Sequence, residues 1–292
     1  MFLQQLINGL VLGSTYALIA LGYTMVYGII QLINFAHGEI FMAGAFVAYA
    51  LVIFLNLNIF LALILTMIFC MFLGMIIEFI AYRPLRQSSR LSALISAIGV
   101  SIFLSTLALL IFGADAKGFP ENAFPLYQIN IGGNAKISSL QLLIISVSAF
   151  LMIALELIVH KTKIGKAMRA TAQDYHTAAL MGINVNQVIA FTFALGSSLA
   201  AAGGVLVGLN FASVSFNMGF MIGLKAFSAA VLGGIGSIPG AMFGGIFLGV
   251  VEILAVASGF SQYRDAIAFS ILILVLLIRP TGLMGQKIQK KV

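Results

Sequence analysis

Lys225 and Glu252 stand inside two consecutive apolar runs, 219–234 and 239–258. Asn34, His37 and Glu39 crowd a Gly28–Gly38 stretch that interrupts another. A charged side chain at the centre of a membrane helix costs about 2.5–3.5 kcal/mol on insertion scales, so each of these needs a reason to be there. For Lys225 and Glu252 a hairpin of the two runs would bring opposite charges together, as a pair that fixes the fold or as the lining of a polar cavity. For the Asn34–Glu39 group two readings stand. Freed backbone and polar side chains could line a solute route, because irregular backbone at membrane depth survives only against protein or water. Alternatively Asn34 caps the next helix, while His37 and Glu39 sit at the aqueous interface. Glu78 and Glu156 lie near helix ends beside Arg83 and His160, where ordinary interfacial pairing is expected.

Covalent and hydrolytic chemistry finds no footing. The sequence holds no His-Glu-x-x-His and no Cys/His set at metal-ligand spacing, so no metal site is expected. It has no Gly-x-Ser-x-Gly nucleophile turn, and Cys70 is the single cysteine. Gly165-Lys166 is followed by Ala167, with no glycine five residues upstream of Gly165. A phosphate loop needs both features. The chain is expected to bind no ATP of its own and to carry no cofactor.

Segment 161–184 is the most informative polar stretch. Residues 165–173 read as a short amphipathic helix, with Met168, Ala172, Tyr175 and Ala179 at i, i+4, i+7 and i+11. Asp174 suits the N-cap of a second short helix, and Gly182 its C-terminal end. Neither helix can cross a bilayer. Joined near a right angle, they would form a compact plug for a groove in another protein. The basic residues Lys161, Lys163, Lys166 and Arg169 gather at its start, where contact with anionic lipid is the competing reading.

The elements that position these residues follow from composition. Of 292 residues, 62% are hydrophobic and only 8% charged, with a mean hydropathy of +1.14. Soluble domains carry about 25% charged residues, so this chain cannot clothe a water-facing surface. An all-α polytopic membrane protein is expected. Apolar runs near the ~20 residues that span a bilayer occur at 6–30, 38–55, 58–81, 91–113, 139–160, 186–210, 219–234, 239–258 and 266–278. These give about eight to nine crossings with broken helices. The net charge of +7 does not indicate nucleic acid, because its clusters flank apolar runs: Arg83–Arg90, Lys161–Arg169, and Arg279 with Lys287, Lys290 and Lys291. Short loops rich in Lys and Arg stay cytoplasmic, which puts 114–138 and the N-terminus outside and the C-terminus inside. The first residues lack the positive start of a signal peptide, so the first run is expected to be retained. One transmembrane domain over 1–292 results, with an external loop 114–138 and a cytoplasmic segment 161–184.

Four stretches carry a resemblance through nearly the whole chain: Asn34-Phe-Ala-His-Gly-Glu39, Ser96-Ala-Ile-Gly-Val-Ser101, Gly165 to Asn184, and Gly223 to Ala241. On these the chain resembles permeases of the branched-chain amino acid ABC importers, the LivH type. The resemblance implies a type II importer-like permease fold. It implies a second homologous permease, two cytoplasmic ATPase subunits that hold ATP and Mg, and an extracytoplasmic solute-binding protein, in a bacterial or archaeal cytoplasmic membrane. Gly165, Met168, Arg169, Ala172, Tyr175, Ala179 and Gly182 would belong to the ATPase-coupling segment. Asn34, His37, Glu39, Lys225 and Glu252 would lie along the translocation path. The wider family reads Glu-Ala-Ala in the coupling loop; here the match is His176-Thr177-Ala178-Ala179 with Gly182, without the acid. Rival readings are a stand-alone secondary transporter or channel for small polar solutes, an intramembrane enzyme, and the same permease type serving urea or amides.

Overall fold

The computed structural model describes residues 2–86, 88–120, 123–132 and 135–285. Its helices are α1 (Phe2–Ile30), α2 (His37–Leu55), α3 (Ile59–Ile77), α4 (Arg90–Phe112), α5 (Ser139–Lys161), α6 (Lys163–Gln173), α7 (Tyr175–Leu180), α8 (Val185–Asn210), α9 (Met218–Gly233), α10 (Ile238–Ala257) and α11 (Arg264–Ile278). A two-stranded antiparallel hairpin, β1 (Gln128–Gly132) and β2 (Ala135–Ser138), lies between α4 and α5. Among the described residues, eight helical segments are long and apolar enough to cross a membrane, and the shorter α9 is a ninth apolar helix. That agrees with the expected eight to nine segments. Lys287, Lys290 and Lys291 lie outside the described residues.

α1 and α8 form the centre. Every residue from Val11 to Val26 of α1 is buried, as is every residue from Gly196 to Leu209 of α8. A helix buried on all sides belongs inside a bundle. In lipid such packing comes from close backbone approach, because lipid tails are as apolar as leucine and drive no association of their own. Small residues supply that approach. A methyl group added at Gly13 would sit 2.7 Å from the Ile246 Cα, and one at Gly9 would sit 2.7 Å from the Val250 Cα. Residues 9 and 13 therefore meet 250 and 246 in reverse order, so α1 and α10 run antiparallel. Gly204 of α8 lies against Phe41 and Ala45 of α2 in the same way.

The surrounding helices bury only a stripe each. Leu110 on α4 is 77% exposed, Phe150 on α5 70% and Leu277 on α11 78%. Exposed apolar surface on this scale does not face water in a monomeric soluble protein. Here it is the lipid-facing coat.

α3 does not stop at Pro84. It widens into a π-turn over Glu78–Tyr82 and then a 3-10 turn over Arg83–Leu85. Proline is tolerated there because it sits in the first turn of the short helix, where its missing amide would be unsatisfied anyway. The wider turn also changes the expected pairing: the Glu78 carboxylate takes the Arg86 guanidinium instead of Arg83. Arg83 lies over the Phe79 ring, 5.5 Å from its centroid. The Glu156–His160 pair forms as expected at 3.3 Å.

Helices α9 and α10 form the expected hairpin. Gly233 meets the backbone of Gly240 at the turn, closer than any side chain would permit. Gly234 and Gly236 take φ of 107° and 92° there, a region open to glycine.

Candidate functional site

Three places bear on function, and the first is an ion cluster. The Glu252 side chain on α10 is wholly buried, and Lys225 on α9 approaches its Oε1 at 2.9 Å. The hairpin thus brings together the two charges singled out in the sequence. Further partners come from other helices. The Arg264 guanidinium at the start of α11 donates to the same Oε1 from Nε at 2.6 Å and lies within 2.5 Å through Nη2. Tyr16 of α1 donates its hydroxyl to Glu252 Oε2 at 3.0 Å. Lys225 also meets Asp265 Oδ1 at 2.5 Å. Two cations and two anions balance, which is how buried charges offset their desolvation cost. A cavity of about 240 Å³ borders the cluster, lined by Tyr16, Lys225, Arg264 and Asp265 and by Leu12, Val207, Phe211, Met221 and Ile222. Sequence reading missed Tyr16, Arg264 and Asp265 as members. Ser261–Asp265 falls between the apolar runs 239–258 and 266–278, and nothing in a linear pattern joins it to α1.

The second place is the break before α2. Residues 31–36 are non-helical, and Gln31 takes a left-handed φ of 52°. The chain does not resume at the membrane edge. His37 lies against Gly22 of α1, and Gly22 in turn touches Gly196, midway along α8. Glu39 Oε1 accepts from Ser101, midway along α4, at 3.2 Å. The start of α2 therefore lies level with the middles of α4 and α8, and 31–36 is an extended break inside the bundle. Asn34, His37 and Glu39 are each at most 2% exposed. The interfacial reading of these residues is thereby corrected. Asn34 does not cap α2 either: Ala36 is its N-cap, without a side-chain bond, and Asn34 Oδ1 accepts from the Tyr82 hydroxyl at 2.9 Å. Among the described residues, Asn34 Nδ2 and Glu39 Oε2 have no hydrogen-bond partner.

The third place is the elbow formed by α6 and α7. Thr162 caps α6 by accepting from the Gly165 amide at 3.1 Å. A Cβ at Gly165 would overlap the Ile158 and Val159 carbonyls, so glycine lets α6 fold back under α5. Asp174 caps α7, accepting from the His176 and Thr177 amides at 2.9 and 3.1 Å. Gly182 ends it with a φ of 83°. The two helices match the sequence expectation, but the single shared face does not. Asp174 is extended, with φ −156° and ψ 110°, and breaks the helical phase between Met168 and Tyr175. Met168 is 2% exposed and packs into the chain's own core, whereas Tyr175 is 42% exposed. Arg169 is exposed, and its guanidinium bonds back to the Val159 carbonyl at the end of α5. The outward surface of α7 instead adds Leu180, 88% exposed, and Met181, 79% exposed. A cavity of about 340 Å³ between the elbow and the end of α1 is lined by Gln31, Arg86, Thr171, Gln173, Tyr175 and His176, among others.

A two-helix elbow at one end of a bundle coated with apolar side chains, with an extended break before α2, suits a membrane transport subunit. Residues 5–276 match the family described as branched-chain amino acid transport system / permease component, and the chain belongs to that family. It is 46% identical over 302 residues to the high-affinity branched-chain amino acid transport system permease protein BraD of Pseudomonas aeruginosa, covering 100% of this chain and 98% of the relative. It is 45% identical over 301 residues to the corresponding LivH protein of Escherichia coli, with 100% and 98% covered. A probable LivH permease of Methanocaldococcus jannaschii is 29% identical over 297 residues, with 97% and 92% covered. Among solved structures, PsaBC from Streptococcus pneumoniae in complex with Fab aligns with a TM-score of 0.51 at 15% identity, covering 96% of this chain and 93% of that one. At that identity the likeness speaks for the fold alone. The chain is thus a multi-pass inner-membrane permease with a type II importer-like fold.

Proposed function

We propose that this chain is one membrane-spanning half of an ATP-driven importer for branched-chain or related hydrophobic amino acids. Its partners are a second homologous permease, two cytoplasmic ATPase subunits that hold ATP and Mg, and an extracytoplasmic solute-binding protein. The observation that carries this reading is the elbow. It is built by two side-chain caps and a tight glycine contact, leaves Leu180 and Met181 exposed, and belongs to a chain without a phosphate loop. Large apolar side chains at a helix end are the sort that anchor in a partner's groove. Positive residues at this end support its cytoplasmic placement.

Tyr175, Ala179 and Gly182 then belong to the docking surface, while Gly165, Met168, Arg169 and Ala172 hold the elbow in shape. Alternating access requires that ATP-bound and ATP-free partners interact differently with the two permease states. The elbow is placed to transmit that difference. α6 packs against α1, and Tyr175 and His176 share a cavity with Gln31 and Leu32, where the break before α2 begins. Motion there would pass along 31–36 to Asn34, His37 and Glu39 inside the bundle. Their unpartnered Nδ2 and Oε2 atoms suit a hydrated route.

The test is affinity purification of the tagged chain from its native membrane. ATPase subunits and a second permease should copurify. Leu180→Asp with Met181→Asp should release the ATPase and leave the permease pair intact. Retention of the ATPase at wild-type level would refute the docking surface, and absence of any ATPase from the wild-type preparation would favour a stand-alone carrier.

A further inference from the structure

We propose that the cavity beside Lys225, Arg264 and Asp265 is a recognition site for the zwitterionic head of a free α-amino acid, with its aliphatic wall receiving the side chain. The inference rests on the amino-acid permease reading above and names a binding site for it within this chain.

The ion cluster divides into a spent half and an available half. Glu252 is wholly buried and already accepts from Tyr16, Lys225 and Arg264. Arg264 and Asp265, by contrast, have side chains 40% and 44% exposed, and both line the cavity. Arg264 commits Nε and Nη2 to Glu252, and a guanidinium has five donors. Asp265 commits Oδ1 to Lys225, and a carboxylate offers about four acceptor sites. Donor and acceptor capacity therefore remain on two adjacent side chains, whose committed atoms, Arg264 Nε and Asp265 Oδ1, stand 3.8 Å apart. A carboxylate and an ammonium on one carbon can engage such a pair together.

Charge balance sharpens the choice of ligand. Lys225 and Arg264 offset Glu252 and Asp265. A solute of net charge would unbalance the cluster, which is costly where the dielectric is low. A zwitterion adds a dipole and no net charge. The rest of the lining is Leu12, Val207, Phe211, Met221 and Ile222, a surface for a hydrocarbon side chain. The volume, about 240 Å³, lies below the ~300–1,000 Å³ of sites for drug-sized ligands and suits a small solute. Neutral aliphatic amino acids meet all three conditions. Acidic and basic amino acids fail on charge, and amines or acids lacking one of the two groups fail on pairing.

The test uses the purified transporter with all its membrane and ATPase subunits, without solute-binding protein, and radiolabelled leucine as the probe. Leucine should bind saturably and be displaced by valine. Isocaproate, isoamylamine and glutamate should displace it poorly. Asp265→Asn should weaken binding about ten- to hundredfold, the effect of losing one hydrogen bond to a charged group. Met221→Trp, which fills the wall and leaves every charged residue in place, should abolish binding, with subunit composition unchanged on gel filtration. Absence of saturable binding, wild-type affinity in both variants, or equal displacement by isocaproate would each overturn the site. Leucine uptake by the wild-type complex with its solute-binding protein, measured in parallel, separates the two layers of the argument. If uptake fails, the permease reading falls; if uptake holds and the binding pattern fails, only the site falls.

Discussion

Replacing Glu252 by Gln should destabilise the bundle more than any lipid-facing substitution. The carboxylate is wholly buried and receives Lys225, Arg264 and Tyr16. Removing one partner of a buried ion pair costs about 3–5 kcal/mol, because the other charge is left uncompensated. Here the loss is tempered. Lys225, whose side chain is 5% exposed, keeps Asp265 at 2.5 Å. Arg264, 40% exposed, can still reach solvent, which screens its share of the loss. The lower end of the range, about 3 kcal/mol, is therefore expected. Coupling should show in a double-mutant cycle. Lys225→Met alone should be costly, and the Glu252→Gln, Lys225→Met double variant should cost less than the sum of the singles by about 0.5–3 kcal/mol. Equilibrium unfolding in mixed micelles measures all four corners. Additive losses, or a Glu252→Gln change within about 0.5 kcal/mol of wild type, the ordinary range for an uninvolved surface position, would refute the reasoning.

Gly249→Ala should lower the melting temperature and yield, because its Cβ would overlap the backbone of Gly13; overpacking of this kind costs about 1–3 kcal/mol. Gly99→Ala on the exposed side of α4, with nothing within 4 Å of a new Cβ, should leave both unchanged. Asp174→Ala removes the two amide bonds that start α7, at a cost of about 1 kcal/mol, and should reduce solute-stimulated ATP hydrolysis in the assembled transporter while the permease pair stays intact.

Most of the architecture was legible because a bilayer imposes a length on every apolar run. Runs 6–30, 91–113 and 186–210 fall within a few residues of α1, α4 and α8. Arg86 and the elbow that follows Lys161–Arg169 likewise lie at one end of the bundle. The pairing of Lys225 with Glu252 was legible from opposite charges on the two arms of a hairpin. What the sequence hid is tertiary. Nothing local says that 31–36 runs inside the bundle to the level of the middle of α8; that follows from Gly22, Gly196 and His37 meeting in space. The shared face of Met168 and Tyr175 failed because one helical phase was carried across Asp174, which is extended. The β1–β2 hairpin escaped because strands of five and four residues leave too short an alternation to read. Tyr16 joined the cluster from 236 residues away, and Arg264 and Asp265 from the start of the next helix, across a turn whose fold-back no spacing rule gives.

This permease is expected to move solute only when its elbow is driven by an ATP-hydrolysing partner. Leucine uptake into proteoliposomes tests it directly, with the chain and its partner permease reconstituted either alone or with ATPase subunits, internal ATP and external solute-binding protein. Accumulation against a gradient is expected only in the complete system, and should be lost with the Leu180→Asp, Met181→Asp variant. Equal uptake by the permeases alone would contradict it.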